Sequence, residues 1–332
     1  MVEETHNEVI ALHADYAAPA GFWRRTAAFA IDGIVLGLIG MAVIAVSFEW
    51  LARIGEWARL IGFALGSLYF ISMEGTSGRC QSLGKHLLKI KVTSITPDGL
   101  VPLTPIQAWL RYSIIAVPVV LGGMGFVDTP AMRQGTSLLA IANSTVVFLW
   151  EMVLVYLLVF NKPSRRSLHD MAFSTAVVRV DAHASPNAPV RRTHWIAMGV
   201  IGSLVVVGSA VLRHRFDVAL SGLQEIQRAV ADVPGVRQSS VSDMHRVGAT
   251  SSSTTQTIIT AAVTTPALQT EAEAIEIVRA AFAVAPALAN QDAVTVVMVR
   301  SAELGIARWR WQTVQNWPGH EWAARIKLHP RP

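Results

Sequence analysis

Cysteine is nearly absent: Cys80 is the only one in 332 residues. That excludes an internal disulfide framework and any cysteine-rich metal site. Charge is scarce too, at 15% of residues against about 25% in an ordinary soluble domain, which excludes a wholly soluble protein. The first twenty residues lack lysine and arginine and carry Glu3, Glu4, Glu8 and Asp15, the wrong sign for a signal-peptide n-region, so the first apolar segment is expected to be retained. Beyond Arg213 there is no G-x-S-x-G and no H-E-x-x-H, and His214, His245, His320 and His329 are scattered. No catalytic site, metal or cofactor is expected there, and the chain does not read as an enzyme. The net charge of +5 does not point to nucleic acid, because the basic residues cluster beside apolar segments, where they set membrane orientation.

Long apolar runs are what the chain has instead. Five segments read as membrane spans: Trp23 to Phe48, Gly55 to Met73, Trp109 to Val127 (interrupted by Pro118 and Gly122-Gly123), Ser137 to Phe160, and Trp195 to Leu212. The loops Gly75 to Pro105 and Asn161 to His194 are basic and the opposite loops are not, so the positive-inside rule puts the N-terminus and both basic loops in the cytoplasm. This divides the chain into a cytoplasmic tail (1–20), a four-span unit (21–180), a Pro-containing linker (181–194), a fifth span (195–212) and an extracytoplasmic domain (213–332). In that last part, helical and alternating patterns succeed one another as α-β-β-α-β-β. They predict an α+β sandwich with helices on one face of an antiparallel sheet. The fold class is therefore an α-helical membrane bundle, four spans plus a fifth anchoring span, carrying a C-terminal extracytoplasmic α+β domain. Trp309, Trp311, Trp317 and Trp322 are dense there, as core and sheet packing or as a surface for a partner.

Asp32 is the only charged side chain from Ala27 to Ser47. A carboxylate at mid-helix costs roughly 2.5–3.5 kcal/mol on insertion scales, so it must face protein, water or a cation. Arg25 stands seven residues earlier, nearly two turns, on the same face. Glu151 is a second acid, deep in the fourth span. Gly33-x-x-x-Gly37 and Gly62-x-x-x-Gly66 are small-residue pairs that predict close packing of the first two spans. Ser82-Leu-Gly84-Lys85 lacks P-loop spacing and reads as a basic amphipathic membrane-surface helix running into a strand. His169-Asp170, with Arg165 and Arg166, reads better as a docking group than as a metal site. Asp170 is expected to pair with a basic residue from the first or second block.

Three blocks carry a resemblance. They are Gly21-Phe-Trp-Arg-Arg25-Thr-Ala-Ala-Phe-Ala-Ile-Asp32, the stretch Gly78 to Val92 around Ser82-Leu-Gly-Lys85 with Arg111 beyond it, and Arg166-Ser-Leu-His-Asp170. Over about residues 21–180 the chain resembles the RDD family of bacterial membrane proteins, whose arginine and two aspartates would fall on Arg25, Asp32 and Asp170. His86 stands where an arginine is usual. The resemblance implies an inner-membrane location, a basic motif at Gly84, Lys85, Arg111 and Arg166, and a candidate ion or proton site at Arg25, Asp32 and Asp170, to which Glu151 is added. Two functions stay open: transport or exchange of a small ion or solute through the bundle, or a non-transporting scaffold or regulator presenting its C-terminal domain to an envelope partner. Besides the lipid bilayer, the expected partners are that ion, solute or envelope protein; oligomers are compatible with either.

Overall fold

The computed structural model describes residues 19–76, 79–121, 138–162, 164–182, 189–219, 221–247, 253–266 and 269–329. The N-terminal tail to Ala18, the Gly122-Gly123 interruption, linker residues 183–188 and the turn at 250–252 lie outside the described residues.

Helix α1 (Phe22–Ile54) buries a single stripe, Arg25, Ala28, Asp32, Leu36, Gly40 and Ile44. The three- and four-residue spacing is that of one helical face. The helix leaves helical geometry at Ser47 and ends at Gly55, where φ is +62°. A 3-10 turn (Gly55–Trp57) reverses the chain into α2 (Ala58–Phe70), which runs into a π turn (Ile71–Thr76). The end of the bundle that carries Phe22 is called the near end below, and the end at Gly55 the far end.

At the near end a short helix, α3 (Leu83–Leu87), leads into β1 (Ile90–Thr96) and β2 (Gly99–Val101). With β3 (Thr175–Arg179) they form a sheet in the order β2-β1-β3, to which the chain entering α1 is pinned by Ala20 N–H to the Val177 carbonyl at 2.9 Å. Helices α4 (Pro105–Leu121) and α5 (Leu138–Phe160) follow, then α6 (Leu168–Ala172) before β3, and α7 (Arg192–Ala219) after it. Pro118 lacks the N–H that would bond the Ile114 carbonyl. The indole of Trp150 on α5 donates to that carbonyl instead, at 2.9 Å, so the freed backbone group is satisfied inside the bundle.

Among the described residues, three stretches are long and apolar enough to cross a membrane: Phe22–Gly75, Ala142–Phe160 and Arg192–Leu212. The first is α1 and α2 together. The second expected span, Gly55 to Met73, lies in the helical run formed by the 3-10 turn, α2 and the π turn. The third, Trp109 to Val127, is described as far as Leu121 in α4, and its last six residues lie outside the described residues.

The C-terminal part has α8 (Ser221–Ala231), β4 (Val236–Val247), β5 (Ser253–Val263), α9 (Glu271–Val284), β6 (Ala293–Glu303), β7 (Arg308–Trp317) and α10 (Gly319–Leu328). The sheet order is β4-β5-β6-β7. Two expectations change. The sheet is mixed rather than antiparallel, because β5 and β6 pair in parallel with α9 as the crossover between them. A third helix, α10, closes the chain. It enters the core through Trp322, which is fully buried and donates its indole N–H to the Val294 carbonyl at 2.8 Å. Trp322 packs with Ile259, Ile277, Val278, Val296 and Met298. Trp309 and Trp311 stay half exposed beside Met41, Ile44 and Phe48 of α1.

The turn between β6 and β7 does not stop at the far end. Leu304, Ile306 and Ala307 reach down between α1 and α2 and pack with Ile44, Leu51 and Ala58. A Cβ on Gly40 would sit 2.7 Å from the Ala307 Cβ, and one on Gly62 would fall on the Leu304 carbonyl. The small residues of the first two spans thus make room for this turn, and the Cβ position of Gly66 is taken by Tyr112. They do not bring α1 and α2 together, as the sequence pattern suggests. A backbone turn at this depth is tolerated because protein surrounds it, and Leu304 N–H closes it on the Ala307 carbonyl at 2.9 Å.

Candidate functional site: two charged clusters at the near end

Asp32 is almost fully buried. Its Oδ1 accepts from the Tyr69 hydroxyl at 2.8 Å and from Gly84 N–H at 2.8 Å, and its Oδ2 from the Ser82 hydroxyl at 2.5 Å. Gly84 lies in the first turn of α3, so the Asp32 carboxylate acts as a cap supplied by another element. It meets an orphan amide and the positive end of the helix at once. The Tyr69 oxygen accepts the neighbouring Leu83 N–H at 3.1 Å. Gly84 must be glycine here because a Cβ would collide with the Ala28 backbone of α1. The close approach of α3 to α1 is what brings the amide within reach. Lys85 stands 3.9 Å from Asp32 but bonds Glu74 at 2.6 Å. Glu74 is turned inward by the π turn and is nearly as buried as Asp32.

Asp170 forms the second cluster and is fully buried. Arg25 donates to its Oδ2 at 2.5 Å and Arg111 to its Oδ1 at 2.6 Å. Ser167 N–H also reaches Oδ2, within a capping box that starts α6. Arg25 further donates to the Arg165 carbonyl at 2.5 Å, and Arg166 to the Thr175 carbonyl at 3.1 Å and the Asp170 carbonyl at 3.3 Å. One carboxylate thereby ties α1, α4 and α6 together. Arg25 meets Asp170, with Asp32 on the same helical stripe but in the other cluster.

Burial by itself would push the Asp170 carboxyl up. The Arg25 and Arg111 guanidinium groups outweigh it and hold the group well below the usual carboxylate range. Burial dominates at His169 and lowers it to about 3, so its ring is neutral at working pH. An unfolded histidine takes up a proton near 6.5. Between about 6.5 and 3 the unfolded chain therefore binds more protons, and stability is full above that window and lost as pH falls through it. The depressed Asp170 acts in the same direction at lower pH. At pH 4.5 the near end should be weaker than at pH 7.5 by roughly 2–3 kcal/mol, and His169→Gln should remove most of that loss. Melting temperatures of both proteins at the two pH values check this; an equal drop in both would contradict it.

Glu151 joins neither cluster. It is exposed on α5 and has no partner among the described residues. Asp32, Asp170 and Glu151 therefore do not converge. Sequence reasoning missed Tyr69, Ser82 and Glu74. Glu74 was readable, since it is the only acid between Glu56 and Asp98 and stands directly beyond an apolar run.

The far end carries its own charges. Arg59 pairs with Glu303 at 2.5 Å and Glu56 at 3.1 Å, Arg308 with Glu303 at 2.6 Å, and Arg300 with Glu49 at 2.7 Å. Arg237 donates to the Arg53 carbonyl at 2.5 Å. Glu303, Arg308 and Arg300 flank the inserted turn; Arg59 on α2 holds Glu303 and Glu49 on α1 holds Arg300, while Arg308 braces Glu303 within the hairpin. No group of His, Cys, Asp or Glu among the described residues has the arrangement to hold a metal.

Helices with apolar outer surfaces, tied at one end by buried arginine–aspartate and lysine–glutamate pairs and joined to a sheet-containing C-terminal region, define a multi-helix membrane protein with an appended domain. Residues 19–174 match the family model of the RDD family. Over that stretch, a little under half of the chain, the protein is similar to the RDD family, and α7 with everything after it lies outside the match. No match was found among curated proteins or solved structures.

Proposed function

We propose that this chain is a non-transporting, non-enzymatic membrane regulator or scaffold whose RDD unit holds and positions the C-terminal domain for an envelope partner. One observation carries the reading: the β6–β7 turn is seated between α1 and α2 against Gly40 and Gly62, so the domain is keyed into the bundle rather than tethered beside it. The separation of Asp32, Asp170 and Glu151 supports it, since a polar path would need them to line one cavity. The resemblance to the RDD family implies a bacterial inner-membrane protein, and the basic loops favour the near end in the cytoplasm and the C-terminal domain outside it.

A second reading, exchange of a small ion or solute, is favoured by the buried Asp32–Lys85–Glu74 group, which has the composition of a proton or cation relay. Proteoliposomes distinguish the two. For a regulator, the purified protein should move protons, sodium and potassium no faster than empty vesicles, and deleting residues 213–332 in cells should abolish function while the remaining bundle still inserts. Flux by the parent that Asp32→Asn removes would establish transport instead.

A further inference from the structure

We infer that α5 is the contact face of a two-fold dimer of this chain in the membrane, with Glu151 from each copy at its centre. The inference does not depend on the proposed function. Glu151 is nine residues from either end of the Ala142–Phe160 span, about 13 Å of helix in each direction. A glutamate side chain cannot reach a headgroup over that distance, as a lysine or arginine does from nearer the surface. In one isolated copy its carboxyl would face lipid tails.

The other faces of α5 are already used. Trp150 bonds the Ile114 carbonyl on α4, Thr145 bonds Ser209 on α7 at 3.3 Å, and Tyr156 meets His194 on α7 at 3.2 Å. What remains outward includes Ser144, Phe148, Glu151 and Val155. Their four-three-four spacing is the seam of a helix pair, with the small Ser144 allowing close approach.

The occupant follows from what the chain can offer. Away from their ends, over Ala27–Ser47 of α1 and Trp195–Leu212 of α7, the exposed side chains carry no ionisable group; Leu38, Val46, Val200, Leu204 and Val207 are among them, and the exposed Arg24, Glu49 and Arg192 lie at the helix ends, far from the depth of Glu151. The exposed Ser203 hydroxyl of α7 is already bonded to the Gly199 carbonyl at 2.9 Å. A contact between α5 of one copy and α1 or α7 of another would leave Glu151 against hydrocarbon. A two-fold contact makes the interface self-complementary and places the only ionisable side chain of the seam against its own copy, where the two carboxyl groups can hydrogen-bond to each other.

The test uses the full-length protein in lipid bilayers at falling protein-to-lipid ratios, with copy number counted by single-molecule photobleaching. The parent should be dimeric. Glu151→Gln, which keeps the hydrogen-bonding groups, should stay within about threefold of the parent in dissociation constant. Glu151→Leu should weaken the dimer about tenfold; the leucine improves membrane insertion, so a folding defect does not mimic the result. In a Cys80→Ser background, Val155→Cys should cross-link between copies on oxidation and Val206→Cys on α7 should not. A parent that is monomeric at every ratio overturns the inference. So does a dimer that Glu151→Leu leaves unchanged, or one that cross-links through Val206→Cys and not Val155→Cys.

Discussion

Replacing Asp170 with alanine is expected to be the most damaging single change at the near end, costing about 3–5 kcal/mol. The reason is asymmetry rather than the strength of one ion pair. Arg25, Arg111 and Asp170 are all buried, and the single carboxylate serves both guanidinium groups. Its removal leaves two buried cations facing a gap, and also takes the reciprocal bond from Ser167 N–H at the start of α6. Arg25→Gln or Arg111→Gln should cost less than Asp170→Ala, because in each case Asp170 keeps one cation. Asp32→Asn should cost least, since the amide oxygen can still accept from Gly84 N–H and the Tyr69 hydroxyl. For a unit of this size the Asp170→Ala loss corresponds to roughly 10–15 °C in melting temperature. Thermal unfolding in detergent measures the series. A Tm for Asp170→Ala within about 2 °C of the parent, or a larger loss for Asp32→Asn, would show that the cluster does not close the bundle.

The second large effect is expected at the far end. A leucine at Gly62 would place its Cβ on the Leu304 carbonyl. This is a collision with backbone that no side-chain rotation relieves, so the β6–β7 turn should be expelled rather than strained. The seat can be trapped directly. Gly40→Cys with Ala307→Cys, in a Cys80→Ser background, sets two thiols on carbons that nearly touch, and oxidation should lock the turn almost quantitatively after a shift of about an ångström. Adding Gly62→Leu should lower that cross-linking at least tenfold, while the response of the melting temperature to Asp170→Ala stays the same. Efficient cross-linking despite Gly62→Leu would mean that the turn does not pass between α1 and α2.

The arginine and the two aspartates of the family signature illustrate what sequence can and cannot deliver. Seven-residue spacing correctly puts Arg25 and Asp32 on one stripe of α1, because periodicity within a helix is local. That spacing does not give their partners, which are 37 to 145 residues away in the chain: Tyr69, Ser82 and Gly84 for Asp32, Asp170 for Arg25. Glycine positions behave likewise. A small residue at Gly62 announces that something approaches closely, and pattern alone assigns the nearest helix. The occupant is a turn more than 240 residues later.

Sequence by itself determined the membrane character of the chain, its helix for Glu271 to Val284, both strands of the β4–β5 hairpin and the residues that mark the RDD unit. All of these follow from hydropathy, local periodicity and short motifs. Tertiary structure alone decided that Asp32 caps α3 and that Asp170, expected to pair with one basic residue of the first or second block, binds Arg25 and Arg111 at once. It also decided that β5 runs parallel to β6, that the β6–β7 turn enters the bundle, and that Glu151 looks outward. Each of these depends on chain segments meeting across long separations, where burial and the pairing of charges select the partner and sequence spacing carries no information.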